Sequence, residues 1–495
     1  MNKIKQYFLI FLITFAAKIF AQQLQPASIF GNNMVLQQGI KVPVWGTAKP
    51  NEEITISFAG KKQKIKANAS GNWMIYLKKL NAGGPFAMSF SSQENSVVFD
   101  SVFVGEVWLA GGQSNMQLKL PEAKNAGKEI AEANYPLIRF FTVDANISSK
   151  PLTKVGGEWL SCNPTNAKKF SAVSYFFARA LHKDKNVPVG IISSSWGATP
   201  AEAWTSPDAL LTYADFKDSA LKYQQLQEDW EELYKKHRRV TDSLRQLNNK
   251  SKLPDNPVQK NYPTALYNAM IAPLVPYGIK GVIWYQGENN AAKSKQYRTL
   301  FPLLINDWRT KWKNEQLPFL YVQLANHQAK KPDPVLVDNW ALLREAQTMT
   351  LQLPYTAMAV AIDIGDAKTI HPTNKQDVGQ RLYIAANHIA YKEKNVYSGP
   401  QFKSVKIERD KIEISFNHLG SGLQNKGDSI LGFAIAGADK KFYWATATIV
   451  NNKVIVSNDK VTTPVAVRYA WATNPDATLY NVEGLPAIPF RTDEW

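Results

Sequence analysis

At 495 residues the chain is too long for one compact core, so two or three domains are expected. Its 14 Trp, 20 Tyr and 23 Phe exclude a disordered chain and supply both packed cores and surfaces that stack on sugars. The formal charge of +17 suits an acidic sugar or an anionic envelope surface. The basic residues are nevertheless scattered, with only short clusters such as Lys235 to Arg239 and no nucleic-acid module, so no nucleic-acid partner is expected. Cys162 is the only cysteine, which rules out an intramolecular disulfide.

Residues 1–21 read as a secretory signal, with Lys3 and Lys5 as a basic start, an apolar run from Phe8 to Ala17, and Ala21 at the cleavage point. The run is too short for a comfortable membrane span, and no later segment offers the roughly 18 uninterrupted apolar residues that a span needs. The mature chain is therefore expected to be exported, periplasmic or extracellular, with no integral membrane span. Residues 22–101 carry short strands separated by turns, among them Val42 to Trp45, Ile54 to Phe58, Gly71 to Tyr76 and Phe86 to Phe90, the spacing of a small β-sandwich. From 102 to 396 strands alternate with helices. Val102 to Leu109, Val187 to Ser193, Ile279 to Trp284, Phe319 to Leu324 and Thr356 to Ile362 are expected to form a parallel sheet with helices on both faces, an α/β fold whose sites lie beyond the strands' carboxyl ends. A polar helical insertion occupies about 208–260, and residues 397–495 return to β-rich patterning.

The stretch Leu109-Ala110-Gly111-Gly112-Gln113-Ser114-Asn115-Met116 follows the first of these strands. Two glycines permit a sharp change of direction and expose the Ser114 hydroxyl at the strand end, where an enzyme can place a nucleophile. Serine needs a base, and six histidines are available. His371 follows the strand Thr356 to Ile362 through a loop that emerges on the same sheet edge as Ser114, and it precedes Pro372; His327 is the weaker rival. Two further strand-end loops offer donors to a tetrahedral oxyanion, the Gly197 N–H in Ser193 to Pro200 and the Gln286 side-chain amide in Trp284 to Asn290.

The chain closely resembles the sialate O-acetylesterase branch of the SGNH hydrolases. The resemblance rests on Asn33-Met34-Val35-Leu36-Gln37, Val42 to Gly46, Gly105-Glu106-Val107-Trp108, Gly112 to Met116, Ser194 to Trp204, Tyr262 to Ile271, Trp284 to Asn290, Leu343 to Gln347 and His371-Pro372. It implies an SGNH-type three-layer parallel-sheet hydrolase domain flanked by β-rich regions. It further implies Ser114 as nucleophile, His371 as general base and acid, and an oxyanion hole of the Ser114 and Gly197 N–H groups with Gln286. The implied reaction removes O-acetyl groups from sialic acids through an acetyl-enzyme, with no metal and no cofactor. The acid often found three residues before the histidine is replaced here by Lys368. Asp366 is taken as the orienting acid, with Asp363 or a backbone carbonyl as alternatives; Glu288 and Asn268 are candidates to assist near the site, the competing reading being that they only brace the Gln286 loop and cap a turn. Two other readings share these features: an acetylesterase for other acetylated carbohydrates such as xylan, and an inactive hydrolase scaffold that binds carbohydrate.

Overall fold

The computed structural model describes residues 23–225, 230–246 and 259–495, so the leader expected at 1–21 lies outside the described residues. A seven-stranded sheet organises the molecule, in the order Trp159–Cys162, Tyr135–Thr142, Val189–Ser195, Ser96–Gly112, Gly281–Tyr285, Phe319–Val322 and Thr356–Ala359. The first of these runs antiparallel to its neighbour, and the other six are mutually parallel. The sequence pattern supplies five of the seven strands. Tyr135–Thr142 was not expected because Pro136 and Arg139 interrupt its apolar run, and the edge strand Trp159–Cys162 is only four residues long.

Period-two alternation along the central strand divides the core between the two faces of the sheet. Val107 and Leu109 join one cluster, while Trp108 and Ala110 join the other. The helices Ser294–Lys311 and Asn339–Met349 contribute Leu300, Phe301, Leu304 and Leu343 to the first cluster. Ala172–Lys185 and Lys375–Ile389, packed against each other, contribute Phe177, Leu181, Val378 and Leu382 to the second. The result is the three-layer α/β arrangement that places all the connecting loops of interest at one sheet edge.

The central strand is 17 residues long, and its first half belongs to the amino-terminal β-unit. There it pairs antiparallel with Gly83–Ser91 and parallel with Val35–Gln37. A boundary at 101/102 thus falls inside one continuous strand, which makes the amino-terminal unit and the α/β domain share backbone hydrogen bonds. A second small sheet, Gln25–Pro26, Val42–Thr47 and Asn72–Leu77, closes the amino-terminal sandwich, with Trp73 against Phe90 at 5.8 Å between ring centroids. The insertion contains the helices Ala214–Gln225 and Trp230–Gln246.

Beyond residue 400 two four-stranded antiparallel sheets and a two-stranded ribbon form the carboxyl-terminal β-unit. Its seam with the α/β domain is polar and specific. The fully buried Arg344 donates to the Leu324, Ala472 and Thr473 carbonyls at 2.8, 2.7 and 3.1 Å, and Asp338, which caps the helix Asn339–Met349, accepts from Thr473 N at 2.8 Å. Asn326 Nδ2 donates to Asn474 Oδ1 at 2.7 Å, and Tyr480 OH donates to Asp363 at 3.1 Å. Among the described residues no helix is long and apolar enough to cross a membrane.

Candidate active site

Ser114 opens a four-residue helix directly after the central strand. The turn depends on Gly112, whose φ of +136° disfavours any other residue and whose missing Cβ would lie 2.1 Å from the Tyr285 carbonyl oxygen. Gln113 locks the turn: its N–H donates to the Tyr285 carbonyl at 3.0 Å, and its Oε1 accepts from Asn289 N at 3.2 Å. As the first helical residue, Ser114 has an N–H with no intrahelical acceptor.

The structure brings Ser114 and His371 together, with Ser114 Oγ 2.8 Å from His371 Nε2. Gly197 is the third member of the group, since a Cβ built on it would lie 3.3 Å from Ser114 Cβ. The Gly197 N–H donates to Gln117 Oε1 at 2.8 Å. Gln117 is exposed and lies three residues after Ser114, so its amide oxygen sits on a donor beside the nucleophile.

Gln286 is placed differently from its expected role. It is fully buried, and its Nε2 donates to Thr199 O at 3.2 Å and Asn290 Oδ1 at 2.7 Å, while its Oε1 accepts from Tyr297 OH at 3.0 Å. With both amide protons engaged, no donor is left for an oxyanion. Asn290 extends the bracing, accepting from Ala201 N at 2.9 Å and donating to Glu202 at 2.9 Å, so Gln286 and Asn290 fix the loop that carries Gly197.

Neither aspartate orients His371. Asp366 is exposed, and its Oδ1 accepts from Lys368 N at 2.7 Å in a turn closed on its own loop. Asp363 is bound at both oxygens by the Arg381 guanidinium at 2.6 and 2.8 Å and also accepts from Tyr480. Among the described residues His371 Nδ1 makes no hydrogen bond; the residue is held instead by its backbone N–H, which donates to Thr369 Oγ1 at 3.0 Å. The rival His327 lies against the Trp340 ring, 4.2 Å between centroids, and its backbone N–H donates toward Thr473. Asn268 is also away from Ser114, donating to the Ser148 and Ser149 carbonyls at 3.2 and 3.0 Å.

A buried polar chain lies beneath Ser114, in which Glu288 was expected as support from the sequence and Lys375 was not. Asn115 donates from Nδ2 to Glu288 Oε1 at 2.5 Å and to the Ile370 carbonyl at 3.0 Å, and its Oδ1 accepts from Lys375 Nζ at 2.6 Å. One amide thereby ties the serine helix to the residue preceding His371, to the Glu288 loop and to the helix after His371. Lys375 is fully buried, and burial lowers its pKa to about 7 despite the Glu288 and Glu122 carboxylates. Burial raises the Glu288 pKa. His371 is pushed below its ordinary value, first by burial and then by the Lys375 charge, with Glu122 opposing. A neutral imidazole that accepts the Ser114 proton is the form this environment favours. Asn115 adjoins the serine in the sequence, but nothing in the sequence distinguishes Lys375 from a surface lysine.

The match to known proteins is extensive. A family model described as carbohydrate esterase, sialic acid-specific acetylesterase matches residues 250–387, a span that includes His371 and Lys375. The sialate O-acetylesterase of Homo sapiens is 30% identical over 94% of this chain and 91% of its own length; that of Mus musculus is 30% identical over 94% and 93%. The crystal structure of a carbohydrate acetylesterase from Xanthomonas citri is 42% identical and superposes with a TM-score of 0.84 over 95% of this chain and 100% of its own. Identity at this level over nearly the whole length of the relatives means that the chain belongs to the sialate O-acetylesterase family.

Proposed function

We propose that this protein is a serine esterase that removes O-acetyl groups from sialic acids through an acetyl-enzyme intermediate on Ser114. The observation that carries the reading is the 2.8 Å contact between Ser114 Oγ and His371 Nε2, at the strand-end turn beside the Gly197 N–H. Ser114 Oγ attacks the acetyl carbonyl carbon while His371 Nε2 takes its proton. The carbonyl electrons move onto oxygen, and the resulting oxyanion takes hydrogen bonds from the Ser114 and Gly197 N–H groups, displacing Gln117 Oε1 from the latter. Collapse breaks the bond to the sugar oxygen, which leaves with the proton from His371. Water then attacks the acetyl-serine with His371 again as base, acetate departs, and Ser114 recovers its proton.

This is a Ser114–His371 dyad, because Asp366 and Asp363 are committed elsewhere. Asn115, with Lys375 and Glu288, holds the two loops in register. The basic leader and apolar run of residues 1–21 support export to the periplasm or the extracellular space. The excess positive charge of the chain suits an acidic sugar.

Acetate release from O-acetylated sialic acid, acetylated xylan and a simple aryl acetate tests the reading. Ser114→Ala is expected to lower release by about 10⁴-fold or more while leaving the fold intact. Serine-independent release would overturn the mechanism, and release from xylan in preference to sialic acid would overturn the substrate.

A further inference from the structure

Lys260 stands at the rim of this site as a cation without a carboxylate among the described residues. Its Nζ donates to the Gly197 carbonyl at 2.5 Å and lies 5.6 Å from the centroid of the half-buried Trp196 ring. Gly197 lies beside Ser114, so one residue carries an oxyanion donor on its N–H and, on the C=O of the next peptide unit, an ammonium. Burial lowers the Lys260 pKa, with no charge among the described residues contributing. Lys375, by contrast, sits below the serine with Asn115 on its ammonium and the Glu288 field around it. An ammonium that has lost water without gaining an anion is stabilised by any carboxylate that reaches it. An acetyl ester is neutral, so the reacting group itself offers Lys260 nothing.

We infer that Lys260 is a specificity-determining residue that binds the carboxylate of an acetylated sugar acid, with the Trp196 ring as the apolar face beside the sugar. The inference rests on the esterase reading of Ser114 and deepens it, since it distinguishes a sugar acid from a neutral acetylated sugar. Recognition works by charge at a point remote from the acetyl group. Binding energy from that end of the substrate then places the ester on Ser114.

The test compares acetate release from O-acetylated sialic acid, from its carboxyl methyl ester and from an aryl acetate, using wild type, Lys260→Met and Lys260→Arg. For wild type, kcat/KM on the free acid is expected to exceed that on the methyl ester by about 10- to 100-fold. Lys260→Met should abolish that ratio and Lys260→Arg should retain most of it, while aryl acetate hydrolysis by Lys260→Met falls only a few-fold. A wild-type ratio near one, or a ratio that survives in Lys260→Met, would overturn the inference. An equal loss on all three substrates would overturn it too, by making Lys260 a brace for the Gly197 peptide and nothing more. Wild type that hydrolyses aryl acetate but shows no preference for the free acid sinks the inference alone. Wild type that releases no acetate from any substrate sinks the esterase reading beneath it.

Discussion

His371 acts as a base only while its ring is neutral. Burial and the Lys375 charge both lower its pKa, so the neutral form persists as pH falls until that lowered value is crossed, and activity is lost below it. Lys375 is itself protonated across that acid range, because its own pKa is about 7. Replacing it with methionine removes the opposing cation and lets His371 hold its proton to higher pH. The acid limb of kcat/KM for Lys375→Met is therefore expected to move upward, measured over pH 4 to 8; an unmoved limb would show that Lys375 only fills space. The orienting acid makes a second residue-scale prediction. An aspartate that fixes a catalytic imidazole is worth up to about 10⁴-fold. The Asp366 carboxylate accepts only from Lys368 N of its own loop among the described residues, so Asp366→Asn should change kcat/KM by less than about 3-fold in a steady-state assay.

At the scale of elements, the site is a junction of strand ends held by buried amides. The Gly112 turn sets where Ser114 emerges, and Asn115 then reaches three other segments at once. Gln286 does for the Gly197 loop what Asn115 does for the His371 loop, joining Thr199 to Asn290 and Tyr297. Its removal would take a partner from the Thr199 carbonyl, Asn290 Oδ1 and Tyr297 OH at once, a buried group left unpaired costing about 1–3 kcal/mol. Gln286→Ala is accordingly expected to lose about 2–4 kcal/mol in denaturant unfolding and to lose activity alongside. An oxyanion donor would instead lose rate with stability unchanged.

At the scale of the whole molecule, the β-units are not passive appendages. The amino-terminal sandwich and the catalytic sheet share the 17-residue central strand, so their folding is coupled through one backbone. The carboxyl-terminal unit reaches the loop between Thr356–Ala359 and His371 through Tyr480 on Asp363 and through Asn474 on Asn326, which in turn accepts from Gly365 N at 2.8 Å. Arg344 is the main polar pin of that seam, and burial lowers its pKa to about 9. Arg344→Met would strand the Leu324 and Ala472 carbonyls, take from Thr473 the nearer of its two donors and leave Asp338 without its nearby cation. The expected cost is about 3–5 kcal/mol, seen in calorimetry as an earlier, separate transition of the carboxyl-terminal unit.

The sequence alone determined the alternation of strands and helices, because burial of alternate residues on two sheet faces leaves a local periodic signature. The same local logic marked Ser114, since a strand followed by two glycines and an exposed serine is a contiguous pattern, and it singled out His371 through its position after a strand in the same series. Only the tertiary structure decided which groups are free to react. Gln286 carries an amide at a suitable strand end, yet the distant Thr199 carbonyl and the nearer Asn290 and Tyr297 side chains consume its protons and its oxygen once the loops are packed together. Asp366 is near His371 in sequence, but the loop curls it back onto Lys368. Lys375 and Lys260 are two unremarkable lysines in the sequence; packing buries one under the serine and leaves the other at the rim against Trp196. Hydrogen-bond saturation and desolvation belong to the assembled fold, where segments far apart in the chain meet, and no local pattern encodes them.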